Sequence, residues 1–304
     1  MYELIIVGAG PAGITAGIYA GRFRINSLIL EKLNVGGQIV LSYLIENYPG
    51  FPEGINPQEL IEKFRIQLEK LNVPIRYEEA IEIYKFKEGF KVKTDSNEYL
   101  TKSLILATGA SPKELGIKGE KEFLGKGVSY CAICDAVLFK NKEVIVVGGG
   151  DKALQEAIFL SKYASLVYLV HRRDKLRASN ILVEKAISDP KIKFILNTVV
   201  EEIKGEKTVE GVKLKNLITS DIRELKCQGV FIFVGIRPNT EFLGDLIKKD
   251  DAGFIITDEN MQTSQEGIFA CGDCRKKTFY QVINACGEAA VAVNSAHNYL
   301  VKYK

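Results

Sequence analysis

The order of apolar and polar residues repeats along the chain. Each half opens with an apolar run that ends in glycine, at residues 3–8 (ELIIVG) and at 143–148 (EVIVVG). A helical stretch follows each run and leads to a second apolar run, at 27–30 in the first half and at 165–170 in the second. Continuous apolar runs are typical of parallel strands buried on both faces, and a helix between two such runs indicates a βαβ unit. The pattern therefore predicts two βαβ units.

Each half then continues with alternating segments separated by turns, at 79–101 and at 198–226. Alternation with a period of two predicts small antiparallel meanders. Each meander leads to a buried strand that ends in glycine, at 103–109 (SLILATG) and at 229–235 (GVFIFVG). The repeated order predicts an α/β fold with two Rossmann-like, three-layer (ββα) dinucleotide-binding domains.

Two helices outside the repeat are also predicted. In the first, at 56–72, Asn56 is a suitable N-cap and Pro57 suits the first turn. Its apolar positions at helical spacing are Leu60, Phe64, Leu68 and Leu71. We expect this helix to pack on the core. The second, at roughly 280–299, is rich in alanine and should pack closely against a strand or a cofactor.

The first glycine turn has the sequence G-x-G-x-x-G, at Gly8, Gly10 and Gly13. The first glycine allows a tight turn, the second a close approach to a pyrophosphate, and the third close packing of helix on strand. The strand that follows ends at Glu31, where a carboxylate can bind ribose hydroxyls. This half is therefore predicted to bind a dinucleotide with unmodified ribose hydroxyls.

The second glycine turn, with Gly148, Gly150 and Ala153, differs in charge. No acid ends its second strand, and a basic cluster stands there instead. The cluster is His171, Arg172, Arg173 and Arg177. Guanidinium groups bind a 2′-phosphate through charge-assisted, forked hydrogen bonds, whereas a carboxylate would repel it. The cluster favours NADP(H) over the alternative of a solvated basic start to a helix.

Two dinucleotide sites in one chain indicate one resident cofactor and one that arrives as a substrate. Transfer of electrons from a nicotinamide through a bound flavin is the simplest interpretation. Gly272 and Asp273 follow a short strand and precede the last helix, where a carboxylate could hold a ribityl chain. Thr108 and Gly109 end the first half in a turn that we expect beneath the flavin.

Composition narrows the functional classes. Of 304 residues, 46% are apolar and 26% are charged, as in a soluble globular protein. The 41 basic and 38 acidic residues give a net charge of +3, which offers no argument for a nucleic-acid or membrane partner. No apolar run is long enough to span a bilayer, and the N-terminus lacks the features of a signal peptide. We therefore expect a cytoplasmic protein.

The most reactive candidates are Cys131 and Cys134, followed directly by Asp135. A structural staple is disfavoured, because a disulfide that closes so short a loop contributes only about 2 kcal/mol and cytosolic disulfides tend to be reduced. Zinc is disfavoured because the second CxxC, at 271–274, is far more distant than the roughly 12–20 residues between zinc knuckles. A redox-active dithiol is favoured, with Asp135 as the candidate proton donor and acceptor.

No metal site is predicted, and the remaining cysteines are expected to be small packing residues. These cysteines are Cys227, Cys271, Cys274 and Cys286.

Motifs along the whole chain resemble those of the low-molecular-weight thioredoxin reductases, in the same order. They are GAGPAG at 8–13, GGQ at 36–38, ENYPGFP at 46–52, ATGASP at 107–112, CAICD at 131–135, GGGD at 148–151, HRRDKLRAS at 171–179 and GIFACGD at 267–273. The resemblance implies that one domain is inserted into the other. FAD would bind residues 1–112 with 241–304, and NADPH would bind 113–240, with Pro- and Gly-containing joints near both boundaries.

The resemblance also implies the roles of individual residues. Cys134 would face the flavin, Cys131 would attack the disulfide of thioredoxin or a small redoxin, and Asp135 would be the acid. The further FAD contacts would be Gly37, Gln38, Asn47, Asp273, Gln281 and Val282, and Asp151 would belong to the NADPH turn. A homodimer is implied, as is rotation of the inserted domain between the two half-reactions.

The chain departs from the usual family pattern at Lys152, where a small residue is usual, and at Tyr280, where an arginine commonly precedes the glutamine. The alternatives are a related flavin reductase with ferredoxin as donor or a glutaredoxin-like acceptor, and a ferredoxin–NADP reductase of the same architecture. From another class, the alternative is a zinc-stabilised nucleotide-binding module without catalysis.

Overall fold

A computed structural model describes residues 1–41 and 44–302. The strands are β1 (Tyr2–Val7), β2 (Ser27–Glu31), β3 (Ile75–Tyr77), β4 (Ala80–Phe86), β5 (Gly89–Thr94), β6 (Glu98–Leu106), β7 (Ala110–Pro112), β8 (Val128–Ser129), β9 (Glu143–Gly148), β10 (Leu166–Val170), β11 (Ile192–Ile195), β12 (Thr198–Gly205), β13 (Val209–Asn216), β14 (Ile222–Lys226), β15 (Gly229–Phe233), β16 (Ile236–Pro238) and β17 (Ile268–Ala270). The α-helices are α1 (Pro11–Arg22), α2 (Pro57–Glu69), α3 (Ala132–Asp135), α4 (Asp151–Ser161), α5 (Asn180–Ser188) and α6 (Val282–Lys302).

The chain divides into two compact units. The first is discontinuous and contains Met1–Val40, Leu44–Ser111 and Arg237–Lys304. The second consists mainly of Pro112–Ile236. The two segments at which the chain leaves and re-enters the first unit, β7 and β16, pair with each other as a two-stranded sheet.

In the first unit, the sheet has the strand order β3-β2-β1-β6-β5-β4, with β17 paired to β6. Successive side chains of β1 point to opposite faces, as in any strand. Leu4 and Ile6 pack in the core cluster that contains residues of α1, α2 and α6. Ile5 and Val7 pack on the other face with residues of β4 and β5. Helices, parallel strands and a meander therefore form three layers.

The second unit repeats this plan with a separate meander. Its parallel sheet has the order β11-β10-β9-β15-β8, and β12, β13 and β14 form a second, three-stranded sheet. Val144 and Val146 of β9 pack with residues of α3, α4 and α5. Ile145 and Val147 pack with residues of β12 and β13. The predicted α/β class, with two Rossmann-like ββα domains and the second inserted into the first, is confirmed.

The sequence pattern suggested that the meander and the buried strand of the first half are separate. In the structure they are not. They share the single strand β6, whose residues 98–101 pair with β5 while residues 101–106 pair with β1. Its exposed first part and buried second part produced two different sequence patterns within one strand. In the second unit, β14 ends at Lys226 and β15 begins at Gly229, so the corresponding strands are separate there.

Helix α2 begins as predicted. The Asn56 side chain accepts hydrogen bonds from the backbone N–H groups of Gln58 and Glu59, at 2.9 and 3.3 Å. Leu60, Phe64 and Leu68 are buried on its inner face. Among residues 1–41 and 44–302, no helix is both long and apolar enough to cross a bilayer.

Candidate nucleotide sites and redox disulfide

The first glycine turn depends on backbone contacts that exclude side chains. Gly8 has φ +103°, and a Cβ atom there would lie 2.4 Å from the carbonyl oxygen of Ala107. A Cβ atom on Gly13 would lie 1.8 Å from the oxygen of Gly8. The turn and the start of α1 can therefore approach each other closely only because both residues are glycine.

The N-terminus of α1 is open. Gly10, the N-cap residue, has no side chain with which to cap the helix, and Pro11 occupies the first turn. Gly37 approaches Gly10 from the turn that follows β2, and a Cβ atom on Gly37 would lie 3.2 Å from Cα of Gly10. Uncapped N–H groups at a helix N-terminus favour an anionic ligand such as a pyrophosphate.

Glu31 lies directly against this turn. Its Oε2 accepts a hydrogen bond from the backbone N–H of Ala9 at 2.7 Å, and its Oε1 accepts one from Leu33 at 3.0 Å. Both carboxylate oxygens are therefore fixed in direction at the end of β2. The lone pairs that remain on them can accept hydrogen bonds from ribose hydroxyls.

Thr108 and Asp273 also lie close to this turn and to the start of α1. Within the described residues, Thr108 Oγ1 and Asp273 Oδ1 are buried without a hydrogen bond. Gly272 has φ +75°, and a Cβ atom on it would lie 3.0 Å from Cβ of Ala12 at the start of α1. Gly109, with φ +66°, continues the turn after Thr108. A buried hydroxyl group without a hydrogen bond and a carboxylate beside an open helix N-terminus fit a ligand rich in hydroxyl and phosphate groups, such as FAD.

Two further residues predicted to contact FAD meet across the sequence. Asn47 Nδ2 donates a hydrogen bond to Gln281 Oε1 at 3.0 Å, although the two residues are 234 positions apart. Val282 is the first residue of α6, directly after Gln281. Gln38 is exposed in the short 3₁₀ turn Gly37–Leu41.

The second glycine turn has the same close contacts. Gly148 has φ +153°, and a Cβ atom there would lie 2.4 Å from the carbonyl oxygen of Phe233 and 2.7 Å from Cβ of Ala153. Gly150 is the N-cap residue of α4, and Asp151 occupies the first turn. The backbone plan of the first turn is therefore repeated at the second.

The arginine cluster is attached to this turn by two hydrogen bonds. The backbone N–H of Arg177 donates to the carbonyl oxygen of Gly149 at 2.7 Å. The backbone N–H of Ser179 donates to Asp151 Oδ1 at 2.7 Å. The three arginines of the cluster, Arg172, Arg173 and Arg177, are exposed. They therefore lie on a loop that the turn itself holds in place.

His171 differs from the arginines beside it. It is only 5% exposed, and a Cβ atom on Gly149 would overlap its ring. In the described part of the chain, its Nε2 has no hydrogen-bond partner. Burial lowers the pKa of the imidazole, and the charges of Arg177, Arg173 and Arg172 lower it further. The structure therefore buries the His171 ring against the turn, and the exposed positive charge belongs to the three guanidinium groups.

Lys152, which departs from the family pattern, has a partner on its own helix. Its Nζ lies 2.5 Å from Oε1 of Glu156, whose side chain is 3% exposed. Burial raises the pKa of Glu156, although the lysine acts in the opposite direction. Lys152 therefore covers a buried carboxyl group one turn into α4.

Cys131 and Cys134 form a disulfide in the second unit, with their Cα atoms 5.4 Å apart. Cys131 precedes α3, and its Sγ accepts a hydrogen bond from the backbone N–H of Cys134 at 3.2 Å. Cys134 is exposed, whereas Cys131 and Asp135 are half-buried. A disulfide between closely spaced cysteines, one of them accessible, is suited to thiol–disulfide exchange.

Two apolar residues beside the disulfide were not predicted as functional from the sequence. Val137 and Leu138, in the 3₁₀ turn after α3, are 67% and 65% exposed, while Ala136 and Phe139 on either side are buried. Their position immediately after CxxCD was the available signal. Their exposure could not be predicted, since it depends on how α3 packs.

The remaining cysteines are free and buried, which confirms that they are packing residues. Burial raises the pKa of the Cys274 thiol to about 11, and it also raises the pKa of Cys271. Cys274 Sγ lies 3.3 Å from the carbonyl oxygens of Leu106 and of Cys271. No group of three potential metal-binding side chains is found among the described residues.

Comparison with known proteins agrees with this arrangement. The sequence pattern of the pyridine nucleotide-disulphide oxidoreductase family matches residues 2–289. Thioredoxin reductase from Treponema pallidum is 44% identical over 98% of this chain and 97% of its own length. Thioredoxin reductase from Peptoclostridium acidaminophilum is 42% identical over 99% of this chain and 97% of its own length.

Among solved structures, the thioredoxin reductase of Lactococcus lactis, in a form titled the FR conformation, superposes with a TM-score of 0.98. It is 43% identical, and the match covers 99% of this chain and 100% of the other. This chain therefore belongs to the pyridine nucleotide-disulphide oxidoreductase family and, within it, to the thioredoxin reductases.

Proposed function

We propose which residues of this chain carry out each step of the thioredoxin reductase reaction, with FAD bound to the first unit and NADPH bound to the second. Members of the family are FAD-dependent oxidoreductases that use NADPH and act on thioredoxin, and this chain shares that function. The observation that carries the division is the charge at the two glycine turns. Glu31 bonds to the first turn, whereas Arg177 bonds to the second.

In this assignment, FAD is held by residues 1–112 and 241–304. Its pyrophosphate lies over the start of α1, its ribose bonds to Glu31, and its ribityl chain bonds to Asp273. The full set of FAD residues is Gly8, Gly10, Gly13, Glu31, Gly37, Gln38, Asn47, Thr108, Gly109, Gly272, Asp273, Gln281 and Val282. The uncapped helix, the unsatisfied hydroxyl of Thr108 and the part-exposed carboxylate of Asp273 support this assignment.

NADPH is held by residues 113–240 in the same assignment. Its pyrophosphate lies over the start of α4, and its 2′-phosphate bonds to the exposed arginines. The full set of NADPH residues is Gly148, Gly150, Asp151, Ala153, His171, Arg172, Arg173 and Arg177. The hydrogen bonds that attach the arginine loop to the turn support it.

The Cys131–Cys134 pair is the proposed redox centre. FAD held on the first unit would supply the electron pair that reduces the disulfide, and the second glycine turn would hold the NADPH from which that pair comes. Cleavage of the S–S bond then leaves one thiolate and one thiol, with Asp135 as the group that transfers the proton. Stabilisation of a thiolate by a backbone N–H lowers its pKa, and Cys131 already accepts the N–H of Cys134.

The second half-reaction is thiol–disulfide exchange between proteins. The Cys131 thiolate attacks the thioredoxin disulfide and forms a mixed disulfide, while one sulfur of thioredoxin leaves as a thiolate. The Cys134 thiol then passes its proton, through Asp135, to the thioredoxin thiolate that has left, and the resulting Cys134 thiolate attacks Cys131. This attack restores the internal disulfide and releases the second sulfur of thioredoxin as a thiolate, which takes a proton from solvent, so thioredoxin leaves as a dithiol. The Cys131/Cys134 dithiol is oxidised to a disulfide and the thioredoxin disulfide is reduced to a dithiol, so the electrons balance.

Three further assignments follow the family resemblance. We propose that the protein is a homodimer, that it acts in the cytoplasm, and that the second unit rotates about the joints near 112 and 240 between the half-reactions. Exposed apolar side chains on α1, on the residue directly after it and on α6 are consistent with a subunit contact. They are Tyr19, Phe23, Ile283 and Val291.

Anaerobic reduction of the bound flavin tests the proposal. We expect NADPH to bleach the flavin absorbance at far lower concentration than NADH, and thioredoxin to restore it. Cys134→Ser should still be bleached by NADPH but should not reduce thioredoxin. Bleaching by reduced ferredoxin and not by NADPH would contradict the assignment of the second turn. Full thioredoxin reduction by Cys134→Ser would contradict the redox role of the pair.

A further inference from the structure

Four charged side chains meet behind the Gly272–Asp273 turn. Glu288, on α6, accepts hydrogen bonds from the backbone N–H of Gly272 at 2.9 Å and from Arg275 Nη1 at 2.8 Å. Lys277 Nζ lies 3.4 Å from Glu288 Oε2 and 3.2 Å from Asp273 Oδ1. Two carboxylates therefore face two cations, so the network has no net charge.

Lys277 is the most deeply buried member of this network. Its side chain is 7% exposed, compared with 11% for Glu288 and 14% for Arg275. Its ammonium group also lies 5.3 Å from the ring centroid of Tyr280. A buried ammonium group needs partners of opposite charge, and Lys277 has two of them, on different elements.

The two oxygens of Asp273 are in different surroundings. The side chain is 37% exposed, yet Oδ1 is buried, so the exposure belongs to Oδ2. Although Lys277 Nζ is 3.2 Å from Oδ1, the geometry is that of an ion pair and not of a hydrogen bond. At this distance the ammonium group of Lys277 and the carboxylate of Asp273 attract each other, because the Coulomb interaction does not require the alignment that a hydrogen bond does. Lys277 thus holds Oδ1 inward, and Oδ2 faces outward.

The glycine turn itself does not need Lys277. Glu288 and Arg275 already fasten it through Gly272, and Arg275 Nε donates to Thr257 Oγ1 at 2.9 Å. The contact that Lys277 adds is the one with Asp273. Since Asp273 and Glu288 are both carboxylates, loss of the lysine would leave two negative groups beside one cation.

We propose that Lys277 is a positioning residue for FAD, which keeps the Asp273 carboxylate turned so that Oδ2 can accept hydrogen bonds from the hydroxyls of the ribityl chain. This inference rests on the proposed assignment of FAD to the Gly272–Asp273 turn. Lys277 acts through Asp273 and not by contact with the flavin. Its removal should therefore weaken FAD binding only where Asp273 is present.

Dilution of the FAD-loaded, full-length protein tests this, because the fluorescence of released FAD gives its Kd. Loss of the charge-assisted hydrogen bond between Asp273 and the ribityl chain costs enough free energy that Lys277→Met should raise the Kd for FAD roughly 10- to 100-fold. Lys277→Arg should restore most of the affinity. Lys276→Met is the matched control, because Lys276 is the exposed neighbour, and its Kd should equal that of the unaltered protein.

A double-mutant cycle separates positioning from general stability. Asp273→Asn alone should weaken FAD binding, and adding Lys277→Met to it should weaken binding no further. An equal loss from Lys277→Met with and without Asp273→Asn would overturn the inference, as would unchanged binding by Lys277→Met. Unchanged binding by Asp273→Asn would overturn the FAD assignment itself. Should Lys277→Met fail to fold, Lys277→Gln alone and combined with Asp273→Asn decides by the same comparison, because glutamine also removes the charge.

Discussion

Nucleotide choice at the residue scale depends on few side chains placed against equivalent backbone. The turns after β1 and β9 share positive-φ glycines and an uncapped glycine before the helix. What differs is the group at the end of the next strand, Glu31 in one unit and the loop of Arg177 in the other. Because the backbone is the same, the charge difference is available to discriminate a ribose hydroxyl from a 2′-phosphate.

Substitution of one arginine should change this discrimination. We expect Arg177→Gln to raise the KM for NADPH about tenfold or more, because a forked, charge-assisted bond to the 2′-phosphate is lost. The KM for NADH should not change. Steady-state kinetics with both nucleotides measures the effect, with Arg223→Gln, an exposed arginine of β14, as the control. An equal change for NADPH and NADH would contradict a 2′-phosphate role.

The redox helix and its following turn act together at the element scale. Helix α3 buries Ala132 and the turn buries Ala136 and Phe139, so the same short segment fixes Cys134 and presents Val137 and Leu138 outward. Exposed apolar side chains beside a reactive group are suited to contact a partner protein. We assign this face to thioredoxin.

Polar substitution of this face should weaken thioredoxin binding without changing the flavin chemistry. We expect Val137→Ser with Leu138→Ser to raise the KM for thioredoxin about tenfold or more, since apolar contact area is lost. Flavin bleaching by NADPH should be normal. Ile187→Ser, at a similarly exposed apolar position on α5, serves as the control. Loss of NADPH bleaching in the double variant would show instead that the segment is needed for folding.

Sequence pattern predicted elements well where one environment applies to the whole element. Helix α2 was predicted from its cap and its apolar spacing. The cap and the positions Leu60, Phe64 and Leu68 are present, whereas Leu71 lies beyond the end of the helix at Glu69. Strand β6 was not recognised as one strand, because its first part lies in a meander and its second part in a buried sheet. Local patterns report burial, and burial changes along β6.

Each unit has its own hydrophobic core at the scale of the whole molecule. The core clusters of the first unit lie on both faces of its sheet, and the same is true of the second. The ends of the inserted segment are close together, since the backbone N–H of Lys113 donates to the carbonyl oxygen of Gly235 at 3.0 Å. A unit with its own core and adjacent ends is suited to fold alone.

Excision of the second unit tests the domain assignment. We expect residues 1–112 joined by a short glycine linker to 236–304 to fold and bind FAD, and residues 113–235 to bind NADP⁺ without flavin. Flavin absorbance and isothermal calorimetry measure the two properties. Flavin bound by the 113–235 fragment, or NADP⁺ bound only by the remaining chain, would contradict the assignment.

The sequence by itself determined the duplicated α/β plan, the glycine turns, the opposite charges beside them and the paired cysteines, because these depend on spacing within short segments. Tertiary structure alone decided which distant residues meet. Asn47 bonds to Gln281, and Arg275 and Lys277 both contact Glu288 on α6. These contacts depend on how α6 packs against the strands, and no local pattern encodes the position of a side chain on another element.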